Sequence, residues 1–327
     1  MPDMPQVTGR LVSFQLDGRF RTLFSSHERA TMNYNTRIEL ELVAAKGRRS
    51  ALGMVQAVRS GHLGGSLSVM DILTVLYFDK MRVDPANPHD ANRDRCVLSK
   101  GHCTPAMYSI LAMRGFFPVE DLSTFRNIDS YLSGHVEMTK VPGVDMSAGS
   151  LGQGLSAALG MALAARIDGL DYRVYAICGD GEIQEGQIWE AVQMAAHYGV
   201  SNLTAFVDNN RIQLDGFTDR IGGPSKTVDK FRAFGWNAIE IDGHDVGEIA
   251  AAIDAAAGVR TVPTAIIANT VKGRGVDFME NNPKWHGGTP NDEEFASAFA
   301  QIDARISHLE GLKQSVAYKT AVSKGAN

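Results

Sequence analysis

Cysteine is scarce. The chain of 327 residues holds three, Cys96, Cys103 and Cys178, and no two share the spacing of a disulfide framework or a zinc motif. That excludes a disulfide-stapled domain. Isolated thiols suit a reducing compartment, so the expectation is a cytoplasmic protein. Long hydrophobic runs are also missing. None approaches the ~20 residues of a membrane helix, and the first residues lack the apolar core of a secretory signal. Positive charge is not in excess: 32 Lys and Arg stand against 37 Asp and Glu, a net −5. This argues against a broad nucleic-acid surface. No internal repeat is visible. What remains is the composition of a globular protein, 44% apolar, long enough for one large domain or two ordinary ones.

The most informative stretch runs from Arg173 to Gly216. Val174 to Cys178 is a short apolar run rich in β-formers, broken by Gly179-Asp180-Gly181. Gln184 to Tyr198 carries Ile188, Ala191, Val192 and Ala195 at helical spacing. Leu203 to Val207 is a second buried strand, ending at Asp208-Asn209-Asn210. Strand, helix and strand make one right-handed βαβ unit. It puts Asp180 and Asn210 beyond the carboxyl ends of neighbouring parallel strands, where open α/β sheets bind ligands. A carboxylate, an amide oxygen and the Ile212 carbonyl are hard donors that suit Mg²⁺ or Ca²⁺ rather than zinc. Gly181 admits a close backbone approach, and a helix N-terminus follows to favour an anion. GDG alone reads better as a tight turn. With the Asp-to-Asn spacing of one βαβ unit, a metal-bridged diphosphate becomes the better reading.

GDG followed one βαβ unit later by an Asn-rich turn resembles the signature of thiamine-diphosphate enzymes, and DNNRIQLDG resembles its transketolase form. The resemblance implies that Asp180, the Asn210 side chain and the Ile212 carbonyl bind Mg²⁺, with Ca²⁺ or Mn²⁺ as substitutes, and that the metal holds thiamine diphosphate. Other segments follow in family order. SGHLGG is similar to the family's SGHPGG, with Leu63 where proline is usual, and implies that His62 faces the substrate. Lys100-Gly101-His102 at the end of a short strand implies that His102 contacts cofactor and substrate. GHVE resembles GHPE, which places His135 at C2 of the thiazolium. AGSLGQG is similar to GPLGQG and implies cofactor contacts from Gly149, Ser150 and Leu151, with Ser150 standing where that motif has proline. The lysine of KGRG, Lys272, and the histidine of WHG, His286, are expected to reach cofactor and substrate. Glu185 resembles a family glutamate that bonds across the subunit interface. His244, in DGHD at the end of a further strand, is a strand-end histidine of second rank. From the residues themselves, Ser68 is placed to cap a helix running to Phe78, Phe116 to Phe125 reads as a short helix, Asp292 to Leu309 reads as a final helix capped by Asn291, and Cys178 reads as a packing residue of its strand.

The implied fold is an open, mostly parallel sheet with helices on both faces. The expected organisation is an arm over 1–35, a diphosphate-binding domain over 36–310 and a polar tail over 311–327. Only one part of a transketolase is covered. The resemblance therefore implies the N-terminal subunit of a split enzyme, working with a separate subunit that carries the pyrimidine-binding domain. Self-association to a dimer or an α₂β₂ assembly is expected, with sugar phosphates as substrates. The implied reaction moves a two-carbon ketol unit from a ketose phosphate to an aldose. Two rivals are the α subunit of a 2-oxo-acid dehydrogenase and a non-catalytic cofactor-binding subunit. The SGHLGG, KGHC and GHVE segments speak against the first, and the four motif histidines against the second.

Overall fold

The computed structural model describes residues 32–214, 216–222 and 226–325, with side chains through 316. The expected arm falls outside these residues as far as Thr31, and Tyr34 already begins a helix. In chain order the elements are α1 (Tyr34–Val58), α2 (Leu63–Val75), β1 (Arg95–Leu98), α3 (Thr104–Arg114), α4 (Gln153–Ile167) and β2 (Val174–Gly179). Then come α5 (Gly186–His197), β3 (Leu203–Asn209), β4 (Ile212–Gln213), β5 (Gly216–Phe217) and the single turn α6 (Thr218–Ile221). The last are α7 (Thr227–Ala233), β6 (Asn237–Asp242), α8 (Val246–Gly258), β7 (Thr264–Asn269) and α9 (Asp292–Gly325).

Five strands form one parallel sheet in the order β1-β2-β3-β7-β6. Parallel sheets are covered on both faces, so successive strand residues enter two different cores. In β2, Tyr175 and Ile177 join one core, while Val174, Ala176 and Cys178 join the other. Helices α1, α2, α3, α8 and α9 cover the first face, and α4, α5 and α7 the second. All three cysteines are free and buried, and Cys178 packs as expected. The register that pairs Gly179 with Asp208 sets the ends of β2 and β3 side by side. The turns carrying Asp180 and Asn210 therefore leave the sheet together.

Three local expectations change. Ser68 does not cap a helix. α2 begins at Leu63, and the Ser68 hydroxyl is buried in its middle, within 3.0 Å of the Gly65 carbonyl and 2.7 Å of Asp208 Oδ2. The segment Phe116–Phe125 yields only a 3-10 turn, Val119–Thr124, after Pro118. The last helix does not end at Leu309, because α9 runs on to Gly325. Polar residues there include good helix formers, and ion pairs tie the helix to α1: Lys46 to Glu310 at 2.9 Å and Lys313 to Glu39 at 3.1 Å. The N-terminal signal of α9 holds. Asn291 Oδ1 accepts the Glu294 amide at 2.8 Å, and Glu294 Oε2 accepts the Asn291 amide at 2.8 Å, a reciprocal capping box.

Candidate active site

Four histidines from separated motifs meet at the carboxyl end of the sheet. The His62 ring lies 5.1 Å from His102, 6.0 Å from His135 and 5.5 Å from His286, centroid to centroid, and His102 lies 5.2 Å from His286. Each is held by its own element. His62 immediately precedes α2, and its carbonyl accepts the Ser66 hydroxyl at 2.7 Å. Leu63 is the first helical residue and fully buried. Proline is tolerated at that helical position, so Leu63 starts the same turn and adds core packing. His102 follows β1 in a turn closed by Cys103 N–H on the Lys100 carbonyl at 3.1 Å. The His135 loop is tied down by Thr104 on the Gly134 carbonyl at 3.0 Å and by Tyr108, whose hydroxyl donates to the Ser133 and His135 carbonyls. His286 ends a 3-10 turn anchored by Trp285, whose indole N–H donates to the Phe278 carbonyl at 2.9 Å.

Burial shifts all four imidazoles toward the neutral form. His62 falls to about 4 through burial, then the Arg126 charge and His135. His286 falls to about 3 through burial and the Lys272 charge. His102 is pushed well down by burial and Lys100, and His135 is lowered by burial and Arg126. Neutral rings each offer one donor and one acceptor. His62 Nδ1 is buried and has no hydrogen-bond partner among the described residues.

Beside the histidines lies the oxygen set. Asp180 is buried and accepts the Gly181 amide at 3.0 Å and the Thr218 hydroxyl at 3.2 Å. Burial, helped by the charge of Asp208, raises its carboxyl to about 6. The Lys100 charge offsets this only in part. Asn210 Oδ1 accepts the Ile212 amide at 3.1 Å, and the Ile212 carbonyl accepts Lys272 Nζ at 3.0 Å. Lys272 also reaches His286 Nδ1 at 2.8 Å. Its ammonium is pushed down to about 8 by burial and by the nearby charge of Lys100. Lys100 is paired with Asp208, which leaves the buried Lys272 ammonium to meet an anion. The donor chemistry thus fits both a hard cation and a diphosphate. Among the described residues no three His, Cys, Asp or Glu side chains are placed to hold a metal.

Several residues of the site escaped the reading of the sequence. Lys100 pairs with Asp208, which is fully buried and also receives Ser68 and Thr270. Burial alone would raise Asp208, but these partners, led by Lys100, hold it below the usual carboxylate range. Buried Glu182 receives Ser99 together with the Gly152 and Gly179 amides, each at 2.9 Å. It therefore joins the GSLGQG loop to the end of β2. Of that loop, Gly149 faces His135: a Cβ there would lie 3.0 Å from the ring. Leu151 is half-buried with its carbonyl on Gln187 at 3.2 Å, and Ser150 is exposed. At Gly181 a Cβ would come within 2.6 Å of Gln213 Cβ. Glu185 is exposed ahead of α5, beside Gly152. A cleft of about 460 Å³ opens beside His286, Gly287 and Gly288.

The sequence pattern described as transketolase, thiamine diphosphate binding domain, matches residues 40–305. The chain belongs to the transketolase family. Among its relatives, the 6-deoxy-6-sulfo-D-fructose transketolase subunit SqwG of Clostridium sp. (strain MSTE9) is 43% identical over 266 residues, covering 81% of this chain and 97% of that protein. An apulose-4-phosphate transketolase subunit of Phocaeicola vulgatus is 40% identical over 271 residues, covering 83% and 96%. Transketolase from Campylobacter jejuni superposes with a TM-score of 0.77 at 32% identity, over 90% of this chain and 48% of that one. The chain thus spans nearly all of the subunit relatives and about half of the transketolase of known structure. Membership makes residues 40–305 a thiamine-diphosphate-binding domain of transketolase type.

Proposed function

We propose that the chain is the diphosphate-binding subunit of a two-chain transketolase. The observation that carries this reading is the convergence of His62, His102, His135 and His286 with Lys272 beside Asp180, Asn210 and the Ile212 carbonyl. Asp180, Asn210 and the Ile212 carbonyl would hold Mg²⁺. Lys272, with Gly181 and the Gly149–Leu151 loop, would hold the diphosphate and thiazolium of thiamine diphosphate. When bound, the cofactor supplies an electron sink for the carbanion of a two-carbon ketol unit.

The chain's own residues then have separable tasks. Neutral imidazoles at His62, His102 and His286 accept or donate hydrogen bonds to sugar hydroxyls. His135, the most exposed of the four, is open to proton exchange at the reacting carbon. The two subunit relatives are named for a sulfonated and a phosphorylated ketose, so an anionic ketose is the donor class common to both. A second chain, with a pyrimidine-binding domain, would cover this face and complete an α₂β₂ assembly. No helix among the described residues is long and apolar enough to cross a membrane. Together with the buried free thiols, this supports a cytoplasmic enzyme.

The test has two arms. Asp180→Ala should abolish Mg²⁺-dependent binding of thiamine diphosphate in calorimetry. Wild-type affinity would remove Asp180 from the ligand set. The chain alone should show no ketol transfer and gain it on mixing with its partner. Full activity without partner would defeat the two-chain reading.

A further inference from the structure

Outside the histidine cluster, a buried polar chain runs from α1 to the turn that carries Lys272. The Arg48 guanidinium, 7% exposed, donates to Asp71 at 2.5 and 3.1 Å and to the Leu67 carbonyl at 3.1 Å. Asp71 Oδ2 meets His244 Nδ1 at 2.7 Å. On the far side of the same ring, His244 Nε2 accepts the Val271 amide at 2.8 Å. A backbone N–H can only donate, so Nε2 is bare and the proton sits on Nδ1, directed at Asp71. The ring is a neutral bridge of fixed tautomer between a paired carboxylate and one peptide group.

That peptide begins a tight turn. Arg274 N–H returns to the Val271 carbonyl at 3.2 Å, with Lys272 second and Gly273 third in the turn. Gly273 has φ +83°, as the third residue of a type II turn requires. A Cβ there would strike the Met279 carbonyl at 2.4 Å. The rest of the turn is tied as firmly: the Gly273 amide donates to the Gly64 carbonyl at 3.0 Å, and the Lys272 carbonyl accepts the Asn281 amide at 2.9 Å. The Lys272 ammonium then has a defined reach to the Ile212 carbonyl and to His286.

We propose that Arg48, Asp71 and His244 form a positioning relay that fixes the Val271 peptide, and through it the Lys272 ammonium, for the diphosphate of the cofactor. Arg48 and Asp71 are buried behind the site, and His244 borders a cavity it shares with Asn210 but commits both ring nitrogens to Asp71 and Val271. They act on a lysine whose four-carbon stem would otherwise spread over many rotamers. Groups that orient a ligand-binding side chain from behind are commonly worth about 10–100-fold in affinity. The relay rests on the reading that Lys272 binds thiamine diphosphate.

Two substitutions separate the halves of the bridge. In His244→Gln the side-chain oxygen reaches the place of Nε2 and still accepts the Val271 amide, while the link to Asp71 is lost. In His244→Asn the short amide reaches only the place of Nδ1, so Asp71 keeps a donor and Val271 is released. Calorimetry with Mg²⁺ and thiamine diphosphate on the full chain with its partner should give His244→Gln an affinity within a few-fold of wild type. His244→Asn should lose about 10–100-fold. Hydrogen exchange of the Val271 amide in the full chain, with no cofactor added, should speed up in His244→Asn only. Equal affinities for the two variants, or unchanged Val271 exchange in His244→Asn, would overturn the relay. Failure of the wild-type assembly to bind thiamine diphosphate would instead overturn the cofactor reading itself.

Discussion

His135 and His286 sit in different surroundings but share one predicted defect. His286 shares a hydrogen bond with Lys272, and burial with the neighbouring ammonium pushes it down to about 3. It is therefore fixed as a neutral ring that orients other groups. His135 is exposed, rests against Gly149, and is lowered by burial and by Arg126. Replacing either by Ala should leave cofactor affinity within a few-fold and lower turnover, since one acid-base group is worth roughly 10²–10⁴ in rate. Single-turnover ketol transfer at saturating cofactor measures this. A loss of only a few-fold would return that histidine to a packing role. Lys100 and Asp208 belong to another class. They make a fully buried ion pair closed by Ser68 and Thr270, and removing one partner strands a charge.

At the scale of elements, much was legible in the sequence because the signals were local. The β2-α5-β3 unit shows itself in apolar runs and their spacing, and α9 announces its start through Asn291 and Glu294. The four histidines were legible from the short segments around them. Ser68 was misread because its partner Asp208 lies 140 residues away. Nothing near Ser68 signals a buried acceptor, whereas a serine near an apolar helical run looks like a cap. A separation of 108 residues from Asp208 likewise hid the role of Lys100. The length of α9 was missed because the sequence beyond Leu312 shows no clear apolar stripe, and the ion pairs of Glu310 and Lys313 join it to α1, far away in the chain. The turn of Lys272 yields a prediction at this scale. Gly273→Ala must adopt φ near +83° and displace the Met279 carbonyl. It should cost more than about 1 kcal/mol of stability and weaken cofactor binding. Denaturant unfolding and calorimetry on one preparation check both. Unchanged affinity would show that the turn tolerates a different path.

For the whole molecule, the neutral histidines make stability depend on pH. A free imidazole titrates near 6.5, while folded His62 and His286 titrate near 4 and 3. Between those values the unfolded chain binds protons that the folded chain refuses, so stability falls as pH drops below about 6.5. His102 and His135 act in the same direction. Asp180 opposes them. Raised to about 6, it takes a proton on folding between its ordinary value and that pH, and this favours the folded state under acid. Asp145 and Glu182, whose carboxyls burial also raises, act with Asp180. Because these carboxyls start from ordinary values near 4 and the imidazoles from 6.5, the four histidines dominate near neutrality, and the thermal midpoint of the cofactor-free chain should fall from pH 7 to pH 5. His62→Gln should flatten that slope. A midpoint that stays level or rises over this range would contradict the neutral-ring assignment.

The pairing of the first and last helices also sets a schedule for synthesis. Glu41 on α1 meets Arg305 on α9 across 264 residues, and Arg49 meets Asp303 across 254. Leu42 and Ala45, on the same helix, close their small core only when Leu309 arrives. A ribosome adds roughly 5–20 residues per second. One flank of α1 thus waits on the order of tens of seconds for its cover, exposed to chaperones and proteases while the sheet beside it is still being translated. Arrested nascent chains ending before α9 should be cut within α1 by a protease that spares the finished chain. Equal resistance at both lengths would mean that α1 finds its cover earlier.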